Sequence, residues 1–459
     1  MILLLKTQAL CMLLMTHMGL LYEPTLQEPT ISLTNTTTEV VQDTSLKARG
    51  RSRHVYNDNN TSTEISYEGS IIFTEDEKDI KSISPGGYFK FSKTTFGNRR
   101  AIHIESGSNG ELKRTYYVGK NEEPYEPEGR KWLADMLPEL IASTGIGAED
   151  RVKRIYAKKG ASGVLEAIED MESDYVKGIY FKYLLAQKGL KDNELKTIIT
   201  HVGEEVSSDY EKSKLLQQVS GTYLQNSSTA TAYITAISDM SSDYEKAKVL
   251  SHILNQGKLT DENFSRVLSA VNDISSDYEK AKILSHILNQ NKLTDTNYTK
   301  VLEAVNDISS DFEKAKVLSE LLNKQTLPAP QFKQALQVVD DISSDYEKAK
   351  VLGKLLTNTK MLNDNLTDLL AVINEMSSDY EKAKVLSFLF SKTTLKDNQY
   401  VPAFSVISDM SSDYEKSKLM QQIGKSIPKD KTAVMDAYKK AAKSISSDYE
   451  YRKVMSSIE

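Results

Sequence analysis

The stretch Ser275-Ser-Asp277-Tyr-Glu-Lys-Ala-Lys282 decides the fold, because nearly the same phrase recurs along the chain. We call each copy a junction. A fixed period of this size is typical of arrays in which one supersecondary unit stacks along a line and buries its apolar face on its neighbours. The intervals between the junction aspartates are 35, six of 34, and 35 residues, and these residues are Asp174, Asp209, Asp243, Asp277, Asp311, Asp345, Asp379, Asp413 and Asp448.

Each period predicts a pair of α-helices. Between Thr260 and Ile274, large apolar side chains recur three or four residues apart, as they do on one face of an amphipathic helix. Thr260 has the N-cap position, and acidic residues follow it in the first turn, where the helix dipole favours negative charge. The junction interrupts this pattern, and a second apolar stripe runs on to Leu288. We therefore predict a mainly α chain with a solenoid of nine helix pairs.

The junction itself predicts a helix start. Ser276 and Glu279 stand in S-x-x-E spacing, which is typical of a capping box in which hydroxyl and carboxylate satisfy free amides of the first turn. The predicted capping residues are Ser208 and Glu211, Ser242 and Glu245, Ser276 and Glu279, Ser310 and Glu313, Ser344 and Glu347, Ser378 and Glu381, and Ser412 and Glu415.

Two explanations account for the recurrence of the junction. The helix before it keeps its apolar pattern but changes its residues, so that Phe264 in one period corresponds to Leu366 in another. In the structural explanation the caps hold the array together, and the tyrosine, replaced once by Phe312, packs between units. In the functional explanation a partner grips the stacked groups repeatedly. The residues predicted for that contact are Tyr244, Lys248, Tyr278, Lys282, Tyr346, Lys350, Tyr380 and Lys384.

The N-terminal residues indicate export. Residues 1–22 carry one positive charge, Lys6, before an apolar stretch of signal-peptide length, which predicts a cleaved signal peptide or an uncleaved anchor. The sole cysteine, Cys11, lies within this segment. We expect a periplasmic or cell-surface protein that touches the membrane only through that segment. Residues 23–63 are polar and predict a disordered linker. Lys47, Arg49, Arg51 and Arg53 alternate there with small residues, and a basic patch against lipid headgroups is the alternative for these four charges.

Residues 64–120 predict a small antiparallel β domain. Apolar residues alternate with polar ones, as at Ile102 and Ile104, which is typical of half-buried strands, and glycine-rich turns separate the runs. Residues 121–170 predict a helical lid and junction segment, in which Trp132 is expected to be a core residue. The solenoid is expected over residues 171–459.

Charge and motifs favour a protein without catalytic chemistry. The chain has 58 basic and 64 acidic residues, which gives no strong field to attract nucleic acid. The Y-x-x-x-K spacing of Tyr244 and Lys248 recurs in other periods and lacks a dinucleotide fingerprint. Among six histidines none stands in H-E-x-x-H. We therefore expect no enzyme, no cofactor, no metal and no nucleic-acid partner.

Several segments carry a resemblance to known families. The period resembles HEAT-like and tetratricopeptide arrays, although the tryptophan and closing proline of the latter are missing. Ser84-Pro-Gly-Gly-Tyr-Phe-Lys90, Arg114-Thr-Tyr-Tyr-Val118 and Trp132-Leu-Ala-Asp-Met-Leu-Pro-Glu-Leu140 are similar to uncharacterised exported proteins of Bacteroidota. Related proteins resemble the extracytoplasmic region of antirepressor-type membrane metallopeptidases. The peptidase half has no counterpart here, so the resemblance implies a sensing or scaffolding module only.

Together these patterns predict a non-catalytic exported scaffold that binds a protein partner through the surface of an α-solenoid. The alternative is a sensor for a ligand or the cell envelope, in which the β domain carries the binding.

Overall fold

The structure, a computed structural model, describes residues 32–33, 36–40, 51–57, 60–219, 226–256, 260–290, 293–324, 327, 329–357, 359–392 and 395–458. The described chain is mainly helical, with a small antiparallel sheet in its N-terminal part. It divides into two compact units, Met1–Gly147 and Ala148–Glu459. The predicted signal peptide or anchor lies outside the described residues.

The first unit contains an eight-stranded sheet, in the order β1-β2-β3-β4-β7-β8-β9-β10, and a separate pair, β5-β6. All neighbouring strands are antiparallel. The strands are β1 (Ser32–Leu33), β2 (Thr36–Val40), β3 (Arg51–Asn57), β4 (Thr61–Glu68), β5 (Ile71–Phe73), β6 (Ile80–Ile83), β7 (Tyr88–Thr95), β8 (Asn98–Ser106), β9 (Leu112–Val118) and β10 (Asn121–Glu123).

Helix α1 (Arg130–Thr144) shares a core with this sheet, and a π-helical turn precedes it. The alternation predicted for the strands is present, since Phe91 and Ile102 are buried as register partners. Leu137 of α1 is buried in the same cluster. Trp132 is half-buried and stacks on Phe91 with ring centroids 4.9 Å apart. The segment after the sheet therefore covers one sheet face.

The sheet begins earlier than predicted, because β1, β2 and β3 lie within residues 23–63, where the composition suggests a linker. In β3, Arg53 points to solvent and pairs with Glu64 at 2.9 Å, while the neighbouring His54 is buried opposite Ile65. A strand with charged residues on its outer face resembles a linker in composition. Lys47 and Arg49 lie outside the described residues.

The segment 121–170 also divides differently from the prediction. β10 extends the sheet past residue 120, and α1 belongs to the first unit. α2 (Ala148–Glu169) belongs to the second unit, where Val152 and Val164 are buried in the helical core. The boundary between the units therefore lies between α1 and α2, because the buried residues of the two helices belong to different cores.

The second unit consists of helices that share one apolar core. After α2 they are α3 (Asp174–Leu185), α4 (Asp192–Glu205), α5 (Asp209–Leu216), α6 (Ser227–Ser238), α7 (Asp243–Asn255), α8 (Asp261–Asn272), α9 (Asp277–Gln290), α10 (Asp295–Asn306), α11 (Asp311–Lys324), α12 (Ala329–Asp340), α13 (Asp345–Leu355), α14 (Thr359–Asn374), α15 (Asp379–Lys392), α16 (Asp397–Asp409), α17 (Asp413–Gly424), α18 (Thr432–Ala442) and α19 (Asp448–Ser456).

The helices pack in a regular order. Each odd-numbered helix from α3 begins at a junction aspartate, and each even-numbered helix from α4 precedes the next junction. Odd helices contact odd ones, as α9 does α7 and α11, and even helices contact even ones, as α8 does α10. The predicted cap of α8 is formed, since Thr260 accepts a hydrogen bond from the Asn263 amide at 3.2 Å.

Candidate functional site: the junctions

At eight of the nine junctions the serine caps an odd-numbered helix, whereas Ser173 stands at the N-cap of α3 without a side-chain bond. Ser276 Oγ accepts a hydrogen bond from the Glu279 amide at 3.4 Å, which is the serine half of the predicted capping box. Ser242 has an extended backbone, with φ −80° and ψ 109°, as an N-cap residue requires. The same bond starts the helices at Ser208, Ser242, Ser310, Ser344, Ser378, Ser412 and Ser447.

The glutamate half of the predicted box is replaced by the aspartate of the preceding junction. The Ser276 amide donates to Asp243 Oδ2 at 2.7 Å rather than to Glu279. A carboxylate that accepts from an amide at a helix start gains both a charge-assisted hydrogen bond and a favourable dipole interaction. The equivalent amides of Ser208, Ser242, Ser310, Ser344, Ser378, Ser412 and Ser447 donate to the preceding aspartate at 2.6–2.8 Å.

At several junctions one aspartate accepts two amides. Asp277 Oδ2 accepts from Ser310 at 2.7 Å, and Asp277 Oδ1 accepts from Ser309 at 3.1 Å. Paired bonds of this kind also reach Asp209, Asp311, Asp379 and Asp413. Each bond joins residues about one period apart in sequence, so consecutive junctions are linked side chain to backbone. We call this series the aspartate ladder, and it extends from Asp174 to Ser447.

The first lysine of the junction is buried. Lys348 Nζ donates to the Asp340 carbonyl at the end of α12 at 2.9 Å. The last carbonyls of a helix have no partner within the helix, so a buried ammonium satisfies a group that needs one. Lys212 and Lys382 likewise reach carbonyls of the preceding even-numbered helix. Lys177, Lys246 and Lys416 instead reach carbonyls at or just past the end of the following one.

The second lysine of the junction faces solvent. Lys350 Nζ lies 3.2 Å from Glu347, and the exposed fractions of the two side chains are 43% and 10%. The ammonium is therefore the solvent-facing member of the ion pair. The same arrangement holds for Lys214 with Glu211, Lys248 with Glu245, Lys282 with Glu279, Lys316 with Glu313, Lys384 with Glu381, and Lys453 with Glu450.

Eight of the nine junction aromatic rings are exposed, so the prediction that they pack between adjacent units is wrong for those eight, whereas Tyr175 is half-buried against the helical core. Tyr278 is 59% exposed, and Phe312, which lacks a hydroxyl, is 56% exposed. In those eight junctions the aromatic residue comes directly after the junction aspartate, in the first turn of the odd-numbered helix, and its ring points away from the core. The eight exposed rings are Tyr210, Tyr244, Tyr278, Phe312, Tyr346, Tyr380, Tyr414 and Tyr449.

Lysines lie between these rings. Lys282 Nζ is 6.0 Å from the ring centroid of Tyr244 and 6.0 Å from that of Tyr278, within the range of a cation–π contact. A lysine also lies over the ring of the preceding junction in the pairs Lys248 with Tyr210, Lys350 with Phe312, and Lys384 with Tyr346, at 5.7–5.8 Å. We call the eight rings, with their solvent-facing lysines, the aromatic–lysine row.

The predicted partner-contact residues belong to this row. Three of the predicted lysines lie over the ring of the preceding junction and not over the ring of their own. Lys248 lies over Tyr210 rather than Tyr244, and Lys384 lies over Tyr346 rather than Tyr380. The prediction omitted Tyr210, Phe312, Tyr414 and Tyr449, which occupy the same position in their junctions. It also missed the aspartate ladder and the buried lysines, whose only sequence signal was their recurrence at the same offset.

The sheet unit holds a second polar cluster. Arg130 donates to the buried Asp79, and Arg114 Nη2 donates to the Ile80 carbonyl at 2.8 Å. The guanidinium carbons of Arg114 and Arg130 lie 6.0 and 5.6 Å from the Tyr125 ring centroid. Burial, with the Asp79 carboxylate nearby, raises the pKa of Tyr125 to about 12. Arg114 Nε and the Tyr125 hydroxyl are buried without a hydrogen-bond partner among the described residues.

Neither a metal-type cluster nor a membrane-spanning helix is found among the described residues. Within them, no three histidine, cysteine, aspartate or glutamate side chains are grouped as a metal site would require. No helix in the described part of the chain is long and apolar enough to cross a membrane.

Comparison with known proteins adds little. No known protein family matches this sequence, and no curated protein does. One similar solved structure comes from work on "Computational Design of Self-Assembling Cyclic Protein Homooligomers". It is 10% identical, matches 65% of this chain and 97% of its own, and has a TM-score of 0.12.

Proposed function

We propose that the helical unit is an α-solenoid of nine helix pairs that acts as a non-catalytic scaffold and binds a protein partner along the aromatic–lysine row. The observation that carries this proposal is the set of eight exposed rings, one per junction from Tyr210 to Tyr449. Exposed aromatic side chains are among the residues enriched in protein interfaces. Their recurrence offers a partner many equivalent contacts, which raises affinity through multivalency.

The aspartate ladder supports the proposal by separating two roles within one junction. Asp277 and Ser310 are used in holding neighbouring helices together, and Lys280 is buried. Tyr278 and Lys282 are exposed, with fractions of 59% for the whole tyrosine residue and 51% for the lysine side chain. Removing a largely exposed ring takes little apolar area out of the core, so folding alone gives no reason for a ring at eight junctions.

We place this scaffold outside the cytoplasm. The support is the apolar N-terminal stretch after Lys6 and the resemblance of Ser84–Lys90 and Trp132–Leu140 to exported proteins. The protein would be periplasmic or displayed on the cell surface. Its partner would then be another envelope protein.

The test is proximity crosslinking in intact host cells followed by capture of the chain and its partners. The informative variant lacks residues 243–344, a deletion of three whole periods that joins Ser242 directly to Asp345 and restores the junction phrase. We expect the partners of the full chain to be lost or strongly reduced. An unchanged partner set would contradict the proposal.

A matched pair of point variants separates binding from folding. Tyr244→Ser, Tyr278→Ser and Tyr346→Ser together remove three exposed rings, while Tyr→Phe at the same positions retains them, as Phe312 already does. We expect partner loss with serine and partner retention with phenylalanine. Equal circular dichroism spectra would show that both variants are folded.

A second candidate is a ligand or cell-envelope sensor carried by the sheet unit. The observation that favours it is the cluster of Asp79, Arg114, Tyr125 and Arg130, in which the buried Tyr125 hydroxyl makes no hydrogen bond among the described residues and Arg114 Nε only an ion pair with Asp79 at 3.6 Å. Arg114→Gln in the full chain would then remove binding, while the tyrosine variants would leave it intact.

A further inference from the structure

We propose that the aromatic–lysine row binds an acidic, proline-rich segment of the partner in the polyproline II conformation. This inference rests on the proposed function, because it names the chemistry of the partner that the row would bind. Three observations carry it: the spacing of the rings, the exposed ammonium groups between them, and the replacement of one tyrosine by phenylalanine.

The spacing of the rings follows from their shared lysine. Because Lys282 Nζ lies 6.0 Å from the ring centroids of both Tyr244 and Tyr278, those centroids are at most 12.0 Å apart, the sum of the two distances. The rings start neighbouring packed helices, whose axes are about 8–10 Å apart in proteins. A partner that contacts every ring must therefore repeat at about 10 Å.

A polyproline II helix has this repeat. It has three residues per turn and a rise of about 3.1 Å per residue, so equivalent side chains recur on one face about every 9.3 Å. An extended β-strand presents one face at every second residue, about 6.6 Å apart, and reaches the next equivalent position only at about 13 Å. A strand therefore falls out of register with the rings.

On an α-helix, every seventh side chain lies on one face, about 10.5 Å from the previous one. A helix that docks through such a face requires a continuous apolar groove. Here the rings are separated by ammonium groups, as Tyr244 and Tyr278 are by Lys282. The backbone of polyproline II has no internal hydrogen bonds, so its carbonyls are free to accept from the lysine ammonium groups. Exposed aromatic side chains are also the surfaces on which proline-rich segments dock in several domain families.

The exposed ammonium groups of the row favour a partner segment with negative charge. In the pair Lys384 and Glu381, the exposed fractions of the side chains are 55% and 10%, so a docked segment meets the ammonium first. The glutamate remains bonded beneath it, and an acidic residue of the partner in each turn would complete a charge network. Phe312 keeps the ring without the hydroxyl, which fits contact through ring faces rather than through the phenol oxygen.

The test measures binding of a fluorescent (Pro-Pro-Glu) repeat peptide of about 15 residues, long enough for five turns, to the full chain. The matched peptides are a (Gly-Ser-Glu) repeat with the same charge but no preformed helix, and a (Pro-Pro-Lys) repeat with the opposite charge. We expect saturable binding of the first peptide, at least tenfold weaker binding of both others, and weakening at high salt.

The variants used are Tyr244→Ser with Tyr278→Ser, and Tyr244→Phe with Tyr278→Phe. We expect the serine pair to lower the affinity for the (Pro-Pro-Glu) peptide at least tenfold, and the phenylalanine pair to change that affinity less than twofold. Equal binding of the (Gly-Ser-Glu) peptide would overturn the inference, because charge alone would explain it. Binding of a helical acidic peptide or of a glycan oligomer, with none of the proline peptide, would also overturn it.

The two proposals fail in different ways. If crosslinked partners depend on the rings while no proline peptide binds, the proposed function stands and the polyproline inference is wrong. If the partners survive deletion of residues 243–344, the proposed function is wrong whatever the peptide does.

Discussion

The junctions and the even-numbered helices are two regions of the same unit that tolerate sequence change differently. Phe264 in α8 and Leu366 in α14 are equivalent buried positions with different side chains. The aspartate, in contrast, stands at every junction and accepts backbone amides of the next one, as Asp243 does from Ser276. A core needs volume and apolar area, which several kinds of side chain supply. A hydrogen bond between chain segments needs an acceptor atom at one particular distance from the backbone.

Within one junction, residues that recur at the same offset have different surroundings. In one junction, Asp277 accepts from the amides of Ser309 and Ser310, while Tyr278 is largely exposed and lies beside Lys282 at the protein surface. Under the proposed function, residues that recur for stability and residues that recur for binding stand side by side. Substitutions at the two kinds of position distinguish them.

The largest effect is expected at the ladder. Asp277→Ala leaves the amides of Ser309 and Ser310 without their acceptor, and we expect it to lower the free energy of unfolding by about 3 kcal/mol. The matched control is Asp273→Ala, which removes an exposed carboxylate just after α8, where negative charge opposes the helix dipole. The control should be neutral or slightly stabilising. Urea denaturation measures both, and equal losses would contradict the ladder.

The two lysines of one junction should differ next. Lys348→Met removes a buried ammonium that donates to the Asp340 carbonyl, and we expect a loss of about 2 kcal/mol. Lys350→Met removes a solvent-facing ammonium and should cost less than about 1 kcal/mol. Thermal unfolding of the two variants compares them directly. A larger loss for Lys350→Met would contradict the assignment.

Conservative changes should separate the junction from the even-numbered helices. Leu268→Met in α8 keeps buried volume and should cost at most about 1.5 kcal/mol. Asp277→Glu keeps the charge but moves the carboxylate by one methylene, and it should cost more than Leu268→Met. If the glutamate variant is as stable as the wild type in urea, the reach of the aspartate is not what makes it recur.

The serine cap should have a smaller effect. Ser276→Ala removes the hydroxyl that accepts from the Glu279 amide, and we expect a loss of about 1 kcal/mol. Ser275 is exposed, and Ser275→Ala should leave stability unchanged. Guanidinium denaturation of the pair isolates the hydroxyl, since the two serines are adjacent. Indistinguishable midpoints for Ser276→Ala and the wild type would rule out the cap as a stabilising contact.

The smallest effect on stability is expected at the exposed ring. Tyr278→Ser removes a side chain that is largely in solvent and should change the free energy of unfolding by less than about 0.5 kcal/mol. The same change should weaken partner binding if the row is the contact surface. A loss of stability comparable to that of Asp277→Ala would instead assign the ring to folding.

The sequence predicted the local structure of this chain well. The 3.6-residue periodicity placed α8 after Thr260, and the S-x-x-E spacing placed the start of α9 at the junction. These features depend on residues within one or two turns of each other. The alternation of Ile102 and Ile104 likewise identified β8, because one face of that strand is buried.

The sequence could not predict contacts between distant residues. The bond from Ser310 to Asp277 joins residues 33 positions apart, and the S-x-x-E spacing offered a closer acceptor for the same amide. The direction in which Tyr278 points depends on the rotation of its helix against two neighbours. β3 was not predicted, because the charged Arg53 and its partner Glu64 lie on the outer face of the sheet and give the strand the composition of a polar linker.

Hydrogen exchange of the Asp277→Ala variant tests whether each junction aspartate holds the next junction. In the wild type, the Ser309 and Ser310 amides donate to Asp277, while the Ser276 amide donates to Asp243, which the substitution leaves intact. We expect the variant to lose protection at Ser309 and Ser310 and to retain it at Ser276. Unchanged protection at Ser309 and Ser310 would contradict the claim that each aspartate holds the next junction.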